Sequence, residues 1–209
     1  TRSPGRSAIA SRVSRRHRRS CPPDSTVLVR SYRRATPSNI DATSRGSLSR
    51  SARFTPPTLP AGSGRPPGRR GPDHLAVIWH HGTPNIGSPP APLFPAAEQL
   101  GLRWVSYDRP GYGGSTRDPG RDLGSAADLV LSVADALGIE RFALMGHSGG
   151  GSHALACGAL LPDRVLGVVS MAGLAPFDAG GLDWFAGMAA SGVDSLRAAA
   201  AGRAEKRRY

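Results

Sequence analysis

The sequence has few cysteines, few aromatic residues and almost no lysine. Its 209 residues include 2 Cys, and aromatic residues make up 6% of the chain. Cys21 and Cys157 belong to no C-x-x-C pair and to no Cys/His cluster, which excludes a zinc site and a disulfide-built scaffold. No apolar run approaches the roughly 18 residues that a membrane helix needs. We therefore expect a chain that has no transmembrane helix and no membrane partner.

Acidic residues are scarce in the first third of the chain. Residues 1–70 contain 16 Arg and two acids, a charge of +14, whereas residues 71–209 contain 11 basic and 13 acidic residues, a charge of −2. The first segment also has 13 Ser and 9 Pro, and its one short apolar cluster is 27–29. Such a composition cannot bury enough apolar surface to offset the entropy of ordering the chain. We predict a disordered basic segment over residues 1–70.

Three other interpretations of this basic segment stay open. An Arg-rich arm can bind nucleic acid through phosphates, but Tyr32 and Phe54 are its only aromatic residues, which makes this the weaker alternative. An Arg- and Ser-rich, acid-poor start is also typical of an organelle transit peptide. Alternatively, a count of 26 Arg to one Lys indicates a GC-rich gene, in which a different reading frame yields similar residues. No apolar core of a secretory signal is present, so the default location is cytoplasmic.

Beyond residue 73, apolar runs alternate with helical patterns. Strands separated by helices predict βαβ units, and hence a mostly parallel sheet with helices on both faces, the α/β class. We predict strands at 74–79, 102–107, 141–145 and 165–171, and helices at 93–100, 122–137 and 149–161. The predicted core domain spans 71–178. Residues 179–209 form the start of a helical region, with one helix over 182–201.

A glycine-rich pentapeptide joins the third predicted strand to the helix after it. Residues Gly146, His147, Ser148, Gly149 and Gly150 match G-x-S-x-G in its strand–turn–helix context. Glycines two positions before and after the serine let the arms of a sharp turn approach closely. The turn sets the serine oxygen at a helix N-terminus, where free N–H groups favour negative charge. A purely structural turn or a phosphate cradle is the alternative, although the G-K-[ST] ending of a P-loop is absent.

Two further motifs follow the first and second predicted strands. The first is His81-Gly82-Thr83-Pro84, and the second is the turn-rich stretch Tyr107–Ser115. Together with the pentapeptide, in this order, they resemble the α/β-hydrolase family over about residues 74–188. The resemblance is to the branch of proline iminopeptidases and esterases with a helical cap. It implies a serine hydrolase that acts on ester or amide bonds of a small molecule and uses neither metal nor cofactor.

The resemblance also implies a role for individual residues. Ser148 is similar to the family's nucleophile, and the backbone N–H groups of Gly149 and Thr83 to its oxyanion-hole donors. The second donor is not Pro84, because proline has no N–H. Supporting roles fall to Asp108 and Arg109 as a loop-stabilising pair, to His81 as a brace of the oxyanion loop, to His147 as a neighbour that tunes the pocket, and to Gly82, Gly146 and Gly150.

The family's acid and base have no clear counterpart here. Their order in this fold is Ser, then Asp or Glu, then His, and only His153 follows Ser148. His153 comes five residues later in the same predicted helix, so we expect it to point away from the serine. Asp178 is a weak candidate for the acid. We also expect the segment 1–70 to replace the opening hairpin and the sheet to lack its closing strands, which leaves an unpaired edge strand.

These observations favour a partial α/β-hydrolase sheet preceded by a disordered basic segment. The leading hypothesis is a hydrolase by family whose own activity is low or absent, because a base is missing. One alternative is a non-catalytic fragment or pseudo-enzyme that binds a small ligand or a partner. The other is a nucleic-acid-associated protein that binds through its basic arm.

Overall fold

The computed structural model of the chain describes residues 26–33, 48–54, 74–177 and 179–209. These ranges contain six strands and five helices. The strands are β1 Val27–Arg33, β2 Leu48–Phe54, β3 Leu75–His80, β4 Leu102–Tyr107, β5 Phe142–His147 and β6 Val165–Met171. The helices are α1 Leu93–Gln99, α2 Ser125–Ala136, α3 Gly149–Leu160, α4 Ala190–Ala200 and α5 Arg203–Arg208. The predicted α/β class is confirmed.

The six described strands form one sheet in the order β2-β1-β4-β3-β5-β6. Strands β4, β3, β5 and β6 run parallel to their neighbours in that order, whereas β1 is antiparallel to both β2 and β4. The parallel part arises because each crossover contains a helix or a turn-rich loop long enough to return the chain to the same edge. The carboxyl ends of β3, β4 and β5, and the loops that follow them, therefore lie at one edge of the sheet.

The sheet is covered on both faces, and each face has its own apolar cluster. Because side chains alternate along a strand, Ala76 and Ile78 of β3 face the cluster that contains residues of α2 and α3. Val77 and Trp79 face the other cluster, which contains Ala97 of α1. The predicted arrangement of helices on both faces is confirmed in the described part of the chain.

The prediction of a disordered segment over 1–70 is wrong for two stretches. Strands β1 and β2 form the antiparallel hairpin that we expected to be missing, and β1 also pairs with β4, with Val29 opposite Tyr107. The short apolar cluster supplies the anchor, since Val27 and Val29 are 1% and 7% exposed. Alternation puts both valines on the core side, and backbone pairing supplies the rest. The other residues of the segment lie outside the described ranges.

The unpaired edge strand is confirmed among the described strands, because β6 ends the sheet. Its neighbour is β5, and its side chains include the exposed Leu166 and Val169. Edge strands with apolar side chains are prone to associate. No helix of the described residues combines the length and apolarity that crossing a membrane requires.

The chain divides into two compact units, Thr1–Leu174 and Ala175–Tyr209. In the second unit, the helix predicted over 182–201 begins only at Ala190, because Gly181 and Gly187 adopt positive φ values of 78° that interrupt a helix. The residues before it form turns, in which the rings of Phe177, Trp184 and Phe185 pack edge to face with centroids 5.2–5.7 Å apart.

Candidate active site

Ser148 occupies the turn between β5 and α3, as the sequence predicted. Its backbone has φ 54° and ψ −128°, a conformation that is costly for a residue with a side chain. Two hydrogen bonds hold this turn: the Ser148 N–H donates to the Met171 carbonyl, and the Gly151 N–H donates to the Ser148 carbonyl, both at 2.8 Å. The side chain is half-buried. The fold therefore maintains a strained serine at the carboxyl edge of the sheet.

Glycine is required on both sides of this turn. A Cβ added at Gly146 would lie 2.8 Å from the Gly151 nitrogen, and one added at Gly150 would lie 2.6 Å from the His81 carbonyl oxygen. Both distances are far below normal van der Waals contact. The two arms of the turn, and the end of β3, approach too closely for any other residue.

The loop after β3 lies directly against this turn. A Cβ on Gly82 would be 3.2 Å from the His147 carbonyl oxygen and 3.4 Å from the Ser148 Cβ, while Thr83 Oγ1 is 3.7 Å from the Cβ position of Gly149. Gly149 is the first residue of α3, so its N–H group has no acceptor within the helix. Among the described residues, neither this N–H nor that of Thr83 donates a hydrogen bond. Both stay available to a ligand.

Tyr112, which the sequence reasoning missed, fixes the Thr83 side chain. The Tyr112 hydroxyl lies 3.0 Å from Thr83 Oγ1, and the Arg109 guanidinium donates to the same oxygen at 3.4 Å. Burial raises the pKa of Tyr112, but the hydrogen bonds from Thr83 and Arg109 and the nearby cations outweigh it, so the pKa lies below its ordinary value. The signal was its position within the stretch 107–115, between two glycines.

His81 and Arg109 lock the loop from within. The Arg109 N–H donates to Nε2 of His81 at 3.0 Å, so Nδ1 carries the proton and donates to the Gly82 carbonyl at 2.8 Å. The Arg109 guanidinium donates to the carbonyls of His81 and Gly82. Burial, helped by the Arg109 charge, lowers the pKa of His81 to about 4 against the opposing bond to Gly82. A neutral imidazole with both ring nitrogens hydrogen-bonded is consistent with the predicted role of His81 in stabilising this loop.

The other histidines near the turn are also engaged. His80 is fully buried, its Nδ1 is 3.1 Å from the Tyr107 hydroxyl, and burial together with His153 and Arg109 lowers its pKa to about 3. His153 Nδ1 donates to the Gly149 carbonyl at 2.7 Å within α3. Burial lowers the pKa of His153, with Arg109 and Arg121 adding to it and the Gly149 bond opposing it. His147 is exposed, and its ring lies beside Gly82.

Asp108 and Arg109, predicted as a loop-stabilising pair, each bind partners other than one another. The buried Asp108 carboxylate forms its ion pair with Arg30 of β1 at 2.7 Å and accepts from the Gly87 and Gly114 N–H groups at 2.8 and 3.2 Å. Burial alone raises its pKa, but these bonds outweigh it and hold the pKa below the ordinary value. Consecutive side chains diverge at the end of a strand, so Asp108 binds Arg30 and the two N–H groups, whereas Arg109 binds residues 81–83 of the loop after β3.

Asp178, the weak candidate for the acid, lies outside the described residues. Within the described residues, no group of three or more His, Cys, Asp or Glu is placed to bind a metal ion. The side chains brought to the carboxyl edge of the sheet are thus Ser148, Thr83, Tyr112, Arg109 and the buried histidines.

The chain is similar to proteins named as hydrolases. A putative carbamate hydrolase of Caulobacter vibrioides, RutD, is 36% identical over 83 residues, which are 38% of this chain and 31% of that protein. The chain spans about a third of the length of the curated relatives it matches.

Solved structures of hydrolases are also similar. A 2-hydroxy-6-oxo-6-phenylhexa-2,4-dienoate hydrolase of Rhodococcus sp. strain RHA1 is 28% identical, with 52% of this chain and 42% of that chain covered and a TM-score of 0.44. A proline iminopeptidase of Mycobacterium smegmatis is 27% identical, with 48% and 36% covered and a TM-score of 0.37. The model of the family described as alpha/beta hydrolase fold matches residues 76–199. Since that match covers more than half of the chain, this protein belongs to the α/β-hydrolase fold family.

Proposed function

We propose that this chain carries the nucleophile and the oxyanion hole of a serine hydrolase that acts on ester or amide bonds of small molecules. The observation that supports it best is the backbone of Ser148, with φ 54° at a strand–helix turn. Strain of this kind persists where the surrounding structure enforces it, and it clusters at active sites. Its neighbours Gly149 and Thr83 supply two N–H groups without acceptors among the described residues.

The proposed reaction follows from these positions. The Ser148 oxygen attacks the substrate carbonyl, its proton passes to solvent water, and the tetrahedral oxyanion binds the N–H groups of Gly149 and Thr83. The N-terminal end of α3 adds a favourable dipole. Collapse of this intermediate breaks the bond to the leaving group, which takes up the proton and leaves an acyl group on Ser148. Water then attacks the acyl carbon, the bond between that carbon and the Ser148 oxygen breaks, and the acid product leaves as a proton from the water returns to the serine.

In this proposal, the base is none of His80, His81 and His153. The Nε2 lone pair of His81 already accepts the Arg109 N–H, and His80 is fully buried with its Nδ1 3.1 Å from the Tyr107 hydroxyl. His153 donates from Nδ1 to the Gly149 carbonyl within its own helix, and no hydrogen bond joins its ring to Ser148 in the described part of the chain. Without a base, an oxyanion hole and binding alone retain about 10³–10⁴-fold over water. We therefore expect slow hydrolysis by this chain.

A fluorophosphonate probe tests the nucleophile directly. We expect slow covalent labelling that maps to Ser148 by mass spectrometry, is lost in Ser148→Ala and persists in the matched control Ser132→Ala. Ser132 sits in α2 and donates to the Asp128 carbonyl, outside the site. Saturating probe with no adduct on Ser148 would refute the proposal and favour the second candidate, a non-catalytic protein that binds a small ligand at the same loops.

Turnover of p-nitrophenyl acetate tests the missing base. We expect wild type and Ser148→Ala to have low and nearly equal rates. A fast wild-type rate that Ser148→Ala abolishes would show that a base is present. His153→Gln would then test whether His153 is that base.

A further inference from the structure

We infer that Arg30, in the basic first segment, is a positioning residue of the candidate active site. It acts through Asp108, whose carboxylate ties together the two loops that carry Thr83 and Tyr112. The inference rests on the proposed function, since Thr83 is taken there as an oxyanion donor.

The Asp108 carboxylate is held symmetrically. Its Oδ1 accepts from Arg30 at 2.7 Å and from the Gly87 N–H at 2.8 Å, while its Oδ2 accepts from Arg30 at 3.3 Å and from the Gly114 N–H at 3.2 Å. The side chain of Asp108 has 0% exposure. The fork of the guanidinium thus contacts both oxygens, and each oxygen also fixes one loop.

The two loops close tightly over this carboxylate. A Cβ on Gly87 would lie 2.6 Å from Asp108 Oδ1, and one on Gly113, whose φ is 49°, would lie 2.7 Å from Asp108 Cγ. Backbone therefore packs directly against the carboxylate from both sides. Little room is left for water to replace Arg30 as the second partner of the two oxygens.

Both loops lead to the serine turn. Gly87 follows Thr83 by four residues in one loop, and Gly114 follows Tyr112 by two residues in the other. The loops meet again at the 3.0 Å hydrogen bond between the Tyr112 hydroxyl and Thr83 Oγ1. The chain of contacts runs from Arg30 through Asp108 to both sides of that bond, so a loosened carboxylate frees Thr83 at two points.

Arg30 is itself held on a rigid element. β1 pairs with β4, with Arg30 opposite Ser106, and the Asp108 N–H donates to the Leu28 carbonyl at 3.0 Å. The Leu28 N–H in turn donates to Ser115 Oγ at 3.0 Å. A site residue works best when its support is fixed by its own hydrogen bonds, and β1 meets this condition.

Amide exchange of the full chain, measured by NMR at Gly87 and Gly114, tests the inference without requiring catalysis. We expect Arg30→Gln to speed exchange at both amides by about tenfold or more, because a hydrogen bond to a charged, paired acceptor is lost or weakened. Arg30→Lys keeps the charge but not the fork, so it should lie between Arg30→Gln and wild type. The matched control is Arg164→Gln, which breaks the Arg164–Asp135 ion pair away from these loops.

The probe-labelling rate of Ser148 is the second readout. We expect about a tenfold loss in Arg30→Gln, a smaller loss in Arg30→Lys and none in Arg164→Gln. Unchanged exchange at Gly87 and Gly114 in Arg30→Gln would overturn the inference, as would equal effects in Arg164→Gln. If Arg30→Gln does not fold, Arg30→Lys against Arg164→Lys decides the same question. A wild type without any labelling refutes the proposed function, while the exchange data still decide the role of Arg30.

Discussion

The two flanks of the sheet differ in burial in the opposite sense to what their compositions predict. β1 comes from a segment with a charge of +14, yet Val27 is 1% exposed and Arg30 forms an ion pair with the buried Asp108. β6 is almost entirely apolar, yet Leu166 and Val169 are 47% and 52% exposed. The difference follows from their neighbours, because β1 lies between β2 and β4 whereas β6 is paired with β5 alone among the described strands. Burial in this molecule is set by position in the sheet more than by composition.

The largest expected effect is at the buried charge that holds the β1 flank. Asp108→Ala removes the buried carboxylate that accepts from Arg30 and from two N–H groups, and we expect the free energy of unfolding to fall by about 3–5 kcal/mol. Urea unfolding measures it. The matched control Asp135→Ala, at the partly exposed pair with Arg164, should cost under about 1 kcal/mol. Equal losses for the two would show that the flank does not depend on this ion pair.

Glycine substitutions compare the crowded centre of the sheet with its open edge. Gly150→Ala places a methyl group 2.6 Å from the His81 carbonyl oxygen, and we expect a loss of about 3 kcal/mol from overpacking. Gly167→Ala on β6 meets nothing within 4 Å, so its effect should stay within about 0.5 kcal/mol. Thermal and urea unfolding both report the difference. A tolerated Gly150→Ala would mean that the turn is looser than described.

We expect acid to lower the free energy of unfolding, because His80 and His81 are buried at the carboxyl end of β3. The pKa of His80 is about 3 in the folded protein, below the ordinary 6.5, so the neutral form is favoured by folding. The contribution of His80 to the free energy of unfolding is therefore fully present above about pH 6.5 and is lost as pH falls from there toward about pH 3. Near pH 5, His80 alone should lower the free energy of unfolding by about 2 kcal/mol relative to pH 7.5, and His81 acts in the same direction.

Urea midpoints at the two pH values give the measurement. His80→Phe removes the titrating group, so its slope of stability against pH should be smaller than that of wild type whatever its absolute stability. An identical slope in both proteins would contradict the assignment of the effect to His80.

The smallest expected effect separates the two flanks directly. Val27→Ala on β1 removes buried methyl groups and should cost about 1–2 kcal/mol, whereas Val169→Ala on β6 should change stability by less than about 0.5 kcal/mol. Because Val169 lies on an open edge, its replacement should instead reduce self-association in analytical ultracentrifugation. A larger loss for Val169→Ala would indicate that β6 is covered in solution.

Much of the α/β framework was readable from the sequence. The run Leu102–Tyr107 and the run Val165–Met171 are strands with the predicted bounds, and the helix that begins at Gly149 was placed to within one residue of its end. Each is a run of mostly apolar or small residues followed within three residues by glycine or proline, a local signal that needs no partner. Ser148, as the centre of G-x-S-x-G, was located in the same way.

The failures came where long-range contacts outweigh local pattern. The strand Val27–Arg33 has three apolar residues in a strongly basic segment, and its pairing with β4, far along the chain, makes it a strand. The helix expected from 182 starts at Ala190, because glycines with positive φ precede it. Tyr112 gained its place at Thr83 only when two loops from different strands met.

The sequence by itself determined the family, the parallel core and the serine turn, because these depend on residues close together in the chain. Only the tertiary structure decided which charges meet. Asp108 forms its ion pair with Arg30, 78 positions earlier in the chain, while Arg109 forms hydrogen bonds with the loop after β3. A buried carboxylate requires a partner wherever the fold can bring one, and sequence spacing alone does not show which cation will be brought to it.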